Sequence, residues 1–569
     1  MSVREYTVQN STWKEQSYSY TYDGEGRLTG MQAGGQSLAY AYDALGRVTS
    51  EISSVLTKSY AYRTVNGRTC DLVSTLSYTK ANGTSLLSLS YTYDAAGNIQ
   101  TVSKSGTVYY QYAYDELGQL IREDNKDANK SYTYTYDSRG NILEKKTYAF
   151  TLGTLGTAQK TDSYGYATDS WKDRLTSYNG QTITYDAIGN PLTYNNGSAY
   201  TFTWEGRQMQ SATKDLKTWT YTYNSDGLRT GKTNGSTTYS YKWNENGQLS
   251  SMVYGTSSAW FYYDHEGKPL YMEYADGNDE CSGTYRYILN LQGDVVGLYD
   301  LTRNCMAMTY TYDAWGRELS WSTLNSGYAG LLYGNPLTYR GYIYDRETGF
   351  YYLQSRYYDP SVGRFLNADD VRYLGIGSVS SGWNLYAYCY NSPTNYNDPS
   401  GNVAVVDDIF FGLFSIVLAA LALSTPKQLP TQGSTVVLPQ PGSSTVLPLP
   451  NIPYFELKTK KQCIPNTSEV IDVPKSIFPS KAYNYWIPMK KGDEISSGCG
   501  LTYSQAREWV TSGGDLVCVD QGAAYAIVKF FPSYTLEKPH KDRYLWHYHL
   551  NRNHKNHIWF YGAPSYLYR

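Results

Sequence analysis

The residues best suited to chemistry lie near the C-terminal end of this 569-residue chain, where four histidines fall within eleven positions: His547, His549, His554 and His557. His547 and His549 are two apart, so on a strand both lie on one face. His554 and His557 follow after a polar stretch and would return to that face across a hairpin. Lys541, Arg543, Arg552 and Lys555 surround them in sequence. Two chemistries suit such a group. A neutral and a protonated imidazole can serve as base and acid in phosphodiester cleavage, with the cations holding phosphate. Alternatively, a His-x-His pair and a third histidine can hold a divalent metal ion for hydrolysis. Both point to a nucleic acid substrate.

The elements that must position these histidines read as an α+β domain over 454–569. Residues 502–510 carry apolar positions at helical spacing, with a cap residue before them and Gly513-Gly514 after them. Residues 521–531 predict a second helix, stopped by Pro532. Residues 544–549 and 557–562 alternate as strands around a loop at 550–556. From Asn451 onward the chain carries 15 Lys and Arg against 10 Asp and Glu, which leaves 34 against 41 in the preceding 450 residues. A basic tail on an acidic body fits two separate functions and a polyanionic partner for the tail.

The body is dominated by tyrosine: 64 residues, against 13 Phe and 13 Trp. Core packing alone does not require that bias; a short motif copied many times does. Tyr20-Thr21-Tyr22-Asp23 followed by Gly26-Arg27-Leu28 is one copy, and Tyr40-Ala41-Tyr42-Asp43 followed by Gly46-Arg47-Val48 the next. Further copies centre on Asp94, Asp115, Asp137, Asp186, Asn224, Asn244, Asp264 and Asp313, with degenerate ones at Tyr62-Arg63 and Trp204-Glu205. Adjacent copies such as 23 and 43 or 115 and 137 are 20 to 22 residues apart. In each, alternating aromatic and small polar residues predict a strand. Asp-x-x-Gly predicts a turn, and an apolar residue anchors the return strand. One such hairpin is marginal in water, so the copies must stack.

These motifs resemble the YD-repeat, or rearrangement-hot-spot (RHS), family over roughly residues 15–402. The resemblance implies a mainly β fold, a β-hairpin spiral shell over 1–320 enclosing a chamber. It implies a core-associated cap over 321–402, read on Tyr344-Asp345-Arg346-Glu347-Thr348-Gly349, Arg356-Tyr357-Tyr358-Asp359-Pro360, Gly363-Arg364-Phe365 and Asp398-Pro399-Ser400-Gly401. Beyond the cap such chains carry variable toxic cargo. In many relatives the cap is an aspartyl autoprotease that cuts just past Asp-Pro-x-Gly, and Asp369 and Asp398 match that acidic pair. Two close carboxylates suit the task, because one can hold a proton while the other activates water. Two positions depart from the pattern: Asn402 stands where an apolar Leu is usual, and Asp370 where a proline often follows the first acid.

Between cap and cargo, residues 403–424 form a hydrophobic segment whose apolar run, 409–423, is shorter than the ~20 residues of a membrane span. It reads first as a buried helix, then as a transient membrane contact, then as an anchor. Residues 425–453 are a linker rich in Pro, Ser and Thr. The seven cysteines are scattered; Cys70, Cys281, Cys305 and Cys389 read as small apolar residues in the body, with a pairing of Cys499 and Cys518 open in the tail. Met1 to Thr7 contain no apolar stretch of the kind a secretory signal needs. The expectation is a secreted or cell-surface polymorphic toxin with a nuclease cargo, a cognate immunity protein and an unidentified secretion apparatus. The rival is a non-enzymatic adhesin or carbohydrate-binding array.

Overall fold

A computed structural model describes residues 2–9, 12–169, 171–278, 280–371, 380–402 and 404–406, and the backbone of seven short strands beyond them (461–463, 470–472, 486–489, 515–518, 534–537, 546–550 and 556–560). The chain divides into two compact units, Met1–Lys427 and Gln428–Arg569.

In the first unit the repeats form two long antiparallel sheets. The first has 16 strands, from Ser2–Gln9 to Gln181–Thr182; the second has 14, from Thr184–Tyr185 to Glu318–Thr323. In both, every strand pairs with its neighbours in sequence. The turn explains the motif. Asp23 Oδ1 accepts the backbone N–H groups of Glu25 and Arg27, both at 2.9 Å, and Oδ2 accepts Arg27 Nε at 2.7 Å. Gly26 takes φ +81°, which a side chain would resist. Gln119 and Asn141 take the place of the arginine in their own copies, each donating its side-chain amide to the turn aspartate. The next residue starts the return strand, and Leu28, Ile99, Leu120 and Ile142 are all buried there.

The tyrosine that ends the outgoing strand has a second task in many copies. Its phenol donates to the backbone carbonyl that opens the return strand of an earlier hairpin: Tyr42 to Leu28 O at 2.7 Å, Tyr62 to Val48 O at 2.8 Å, Tyr114 to Ile99 O at 2.7 Å and Tyr263 to Leu249 O at 2.8 Å. At two divergent copies the donor is an indole, Trp204 Nε1 to Pro191 O and Trp243 Nε1 to Arg229 O, both at 2.7 Å. Phenylalanine fills the same volume but has no proton to give. A copy that the aromatic pattern missed sits at Asn290, where Gly293 and Asp294 make the same turn although Leu289 replaces the tyrosine.

Side chains of the first sheet bind the backbone and side chains of the second. Tyr78 and Tyr91 accept the N–H groups of Leu289 and Leu291, both at 3.1 Å. Arg286 meets Glu51 at 2.9 Å, and Glu123 Oε1 accepts Ala314 N at 2.9 Å. Burial, and then the nearby Asp313, push the Glu123 carboxyl up to about 8, so it is held neutral at this seam.

The cap contributes a four-stranded antiparallel sheet: Ile343–Asp345, Phe350–Leu353, Arg356–Asp359 and Arg364–Phe365. It packs on aromatic residues of the second sheet, with Phe350 5.0 Å from Tyr200 between ring centres. Buried charge fixes it further: Asp345 binds Arg229 at 2.6 and 2.9 Å and Lys232 at 2.9 Å. Cap residues also reach the first sheet, where Arg364 donates to Asn141 at 3.3 Å and Asn391 to Gln119 at 2.9 Å.

In the second unit the described strands form a pair, Lys461–Cys463 with Val470–Asp472, and a five-stranded sheet. That sheet runs in the order 486–489, 515–518, 556–560, 546–550, 534–537, with 515–518 parallel to 556–560. The strands expected at 544–549 and 557–562 are found at 546–550 and 556–560. Strands 486–489, 515–518 and 534–537 were not legible in the sequence, being only four residues each. The helices expected over 502–510 and 521–531, the hydrophobic run 409–423 and the linker lie outside the described residues. Among the described residues, no helix is long and apolar enough to cross a membrane. Of the cysteines read as apolar, Cys281 and Cys389 are buried, but Cys70 is exposed.

Candidate functional site

Two groups of residues come forward, one in the cap and one in the second unit. In the cap, Asp369 follows the last strand and Asp398 closes the chain's return to that sheet. Both are buried, and one atom bridges them: Arg356 Nη2 lies 3.1 Å from Asp369 Oδ2 and 3.1 Å from Asp398 Oδ2. Burial pushes the Asp369 carboxyl up to about 6; Arg356 opposes this and the Asp398 charge adds to it. Burial prevails because the single guanidinium is shared between two acids.

The same groups grip the peptide bond after Gly401. Arg356 Nε donates to the Gly401 carbonyl, and the Asn402 N–H donates to Asp398 Oδ1 at 3.0 Å. The preceding carbonyl, of Ser400, accepts from Ser355 Oγ at 2.8 Å and Ser355 N at 3.3 Å. Gly401 itself has φ +72°, and a Cβ there would sit 2.4 Å from Leu353 O. A cation on the carbonyl and a carboxylate on the amide, with a second acid on the same guanidinium, can polarise that bond and move protons at it. Sequence reasoning singled out both acids but missed Arg356, which reads as one more residue of the Arg356-Tyr357-Tyr358-Asp359-Pro360 element. The signal was a basic residue opening a fully buried strand, Arg356–Asp359.

In the second unit the strand register brings the histidines together. His549 pairs with His557 directly across the sheet, and His547 pairs with Trp559. By strand alternation His547, His549 and His557 share one face. His554, Lys541, Arg543, Arg552 and Lys555 lie outside the described residues.

The family model for the teneurin YD-shell matches residues 79–394, and that for the RHS repeat matches 22–55. Both matches lie in the first unit. The tRNA3(Ser)-specific nuclease WapA of Bacillus spizizenii is 31% identical over 294 residues, 51% of this chain and 12% of that protein. The double-stranded DNA deaminase toxin A of Burkholderia cenocepacia is 26% identical over 347 residues, 56% of this chain and 22% of that protein. The chain thus spans only a small part of the length of these relatives. Among solved structures, the Photorhabdus luminescens Tc holotoxin pore aligns at TM-score 0.51 and 18% identity, over 69% of this chain and 22% of that one. The crystal structure of TcdB2-TccC3-Cdc42 aligns at 0.50 and 17%, over 74% and 23%. These two likenesses show a shared fold. With more than half of its length matched and its hairpins closed by the Asp-x-x-Gly turn, the chain belongs to the teneurin YD-shell family of RHS-repeat proteins.

Proposed function

We propose that this chain is the shell and cap of a polymorphic toxin together with its cargo, and that the cargo is a nuclease acting in a competitor cell. The observation that carries the nuclease is the placement of His547, His549 and His557 on one face of the second unit's sheet, within a basic stretch of sequence. Relatives with similar sequence are named as nucleases and a deaminase toxin, which supports a nucleic acid target; a cognate immunity protein is part of the same proposal. The chain would act outside the producing cell, delivered by an apparatus the sequence does not name. The test is production of residues 454–569 in a bacterial host. Growth arrest and loss of intact RNA or DNA are expected, with His547→Ala or His549→Ala lowering the cleavage rate at least ~100-fold. A neighbouring small reading frame should relieve the arrest. A purified tail that leaves both nucleic acids intact, with or without divalent metal, ends this reading.

A second activity is proposed for the cap: self-cleavage beside Gly401. It rests on the grip of Arg356 and Asp398 on the Gly401–Asn402 peptide. Asp369, neutral up to about pH 6, would supply a proton and Asp398 would activate water.

A further inference from the structure

Strand 534–537, which the sequence did not reveal, lies against the histidine strand, and its register adds a carboxylate to the face already described. Glu537 pairs with His547, and Thr535 pairs with His549. Combined with the pairing on the other side, two rows cross the sheet: Glu537, His547 and Trp559 in one, and Thr535, His549 and His557 in the next. Paired residues lie on the same face, and the rows are two residues apart, so all six positions share it. Three strands therefore bring one acid and three imidazoles together from positions twenty residues apart in sequence.

We propose that Glu537 is the general base and His549 the general acid of a metal-independent RNA transesterification. The inference rests on the nuclease reading above and narrows it to one substrate class. Diagonal positions on adjacent strands lie about 7–8 Å apart, a spacing that suits a base and an acid acting on one phosphodiester. The carboxylate takes the proton of the ribose 2′-hydroxyl, and the 2′-oxygen forms a bond to phosphorus. The bond from phosphorus to the 5′-oxygen breaks, and the imidazolium gives its proton to that oxygen. The products are a 2′,3′-cyclic phosphate and a 5′-hydroxyl, with no water or other co-reactant consumed. Because the nucleophile belongs to the substrate, DNA, which lacks the 2′-hydroxyl, is not cleaved.

The test uses the whole chain with a specific protease site in place of residues 433–441, assayed before and after cutting. The substrate is a DNA oligonucleotide containing one ribonucleotide, with an all-DNA oligonucleotide beside it. Cleavage is expected only at the ribonucleotide, with a 2′,3′-cyclic phosphate end and no loss of rate in a chelator. Glu537→Gln, which preserves shape, should lower the rate ~100-fold and abolish the rise of rate with pH on the acidic side, leaving RNA binding intact. His549→Ala should abolish the fall on the alkaline side. Cleavage of both oligonucleotides, or activity lost to the chelator and restored by a divalent ion, overturns the inference and leaves a nuclease. So does a Glu537→Gln protein with wild-type rate and pH profile beside an inactive His549→Ala. If the cut protein cleaves neither oligonucleotide, the nuclease reading and this inference fall together.

Discussion

The hairpin turns and the cap use aspartate in opposite ways. At a turn, Asp23 faces its own Arg27 and two backbone N–H groups within four residues, at the surface. The Arg27 side chain, followed by the backbone donors, holds its carboxyl below the ordinary value. In the cap, Asp369 is buried, shares one guanidinium with Asp398 and is pushed up to about 6. At Asp23 a local partner that follows the acid in sequence stabilises its charge. A partner shared between acids far apart in sequence leaves one of them ready to hold a proton. The same residue type thus holds its charge in one region and its proton in the other.

The largest test of that contrast is the proposed cleavage. Wild-type chain on a denaturing gel should yield a fragment of the tail's size, and Asp398→Asn should yield none. A wild-type chain that stays whole at every pH from 4 to 8 would make both cap acids structural, like those of the turns. Next in size is the buried cluster joining cap to shell. Asp345→Ala leaves Arg229 and Lys232 buried without their shared counter-charge, and should cost about 3–5 kcal/mol in denaturant unfolding. A loss below about 1 kcal/mol would mean that the cap is held by its aromatic packing and its other hydrogen bonds rather than by this buried charge.

A pH series gives the third. Asp369 is raised from its ordinary 3.8 to about 6, so the fold favours its neutral form. That contribution is complete below the ordinary value and is lost as pH rises through about 6, a change of about 3 kcal/mol. Asp369→Asn should lose that share of the slope, and a variant as pH-dependent as wild type refutes the assignment. The smallest expected effect is at the ladder of phenols. Tyr263→Phe removes the donor to the buried Leu249 carbonyl and should cost about 1–3 kcal/mol. The part-buried rung of Tyr42 to Leu28 O should cost less than the buried one.

Much of the first unit was legible because its interactions are short-range. Asp, Gly and the Arg, Asn or Gln after it lie within five residues, so the turn, the strand on each side and the buried Leu or Ile could all be read in order. The Asn290 copy escaped because its aromatic is missing while its turn bonds remain. The cap motifs were visible as text, but the residue that makes its acids unusual, Arg356, was not. It lies 13 residues from Asp369 and 42 from Asp398, and no spacing rule connects them.

By itself, then, the sequence determined the repeat: its period, its turn, its tyrosine, and the family that follows from them. It also determined which acids and histidines were worth watching. Only tertiary structure decided what those residues meet. Arg356 enters between two acids because the cap sheet and the returning chain close on each other, and Glu537 joins the histidines because a four-residue strand pairs in one register rather than the next. Local chemistry is written in neighbouring residues; which distant residues become neighbours depends on the backbone pairing and burial of the whole unit, and a shift of one position would carry Glu537 to the other face of the sheet.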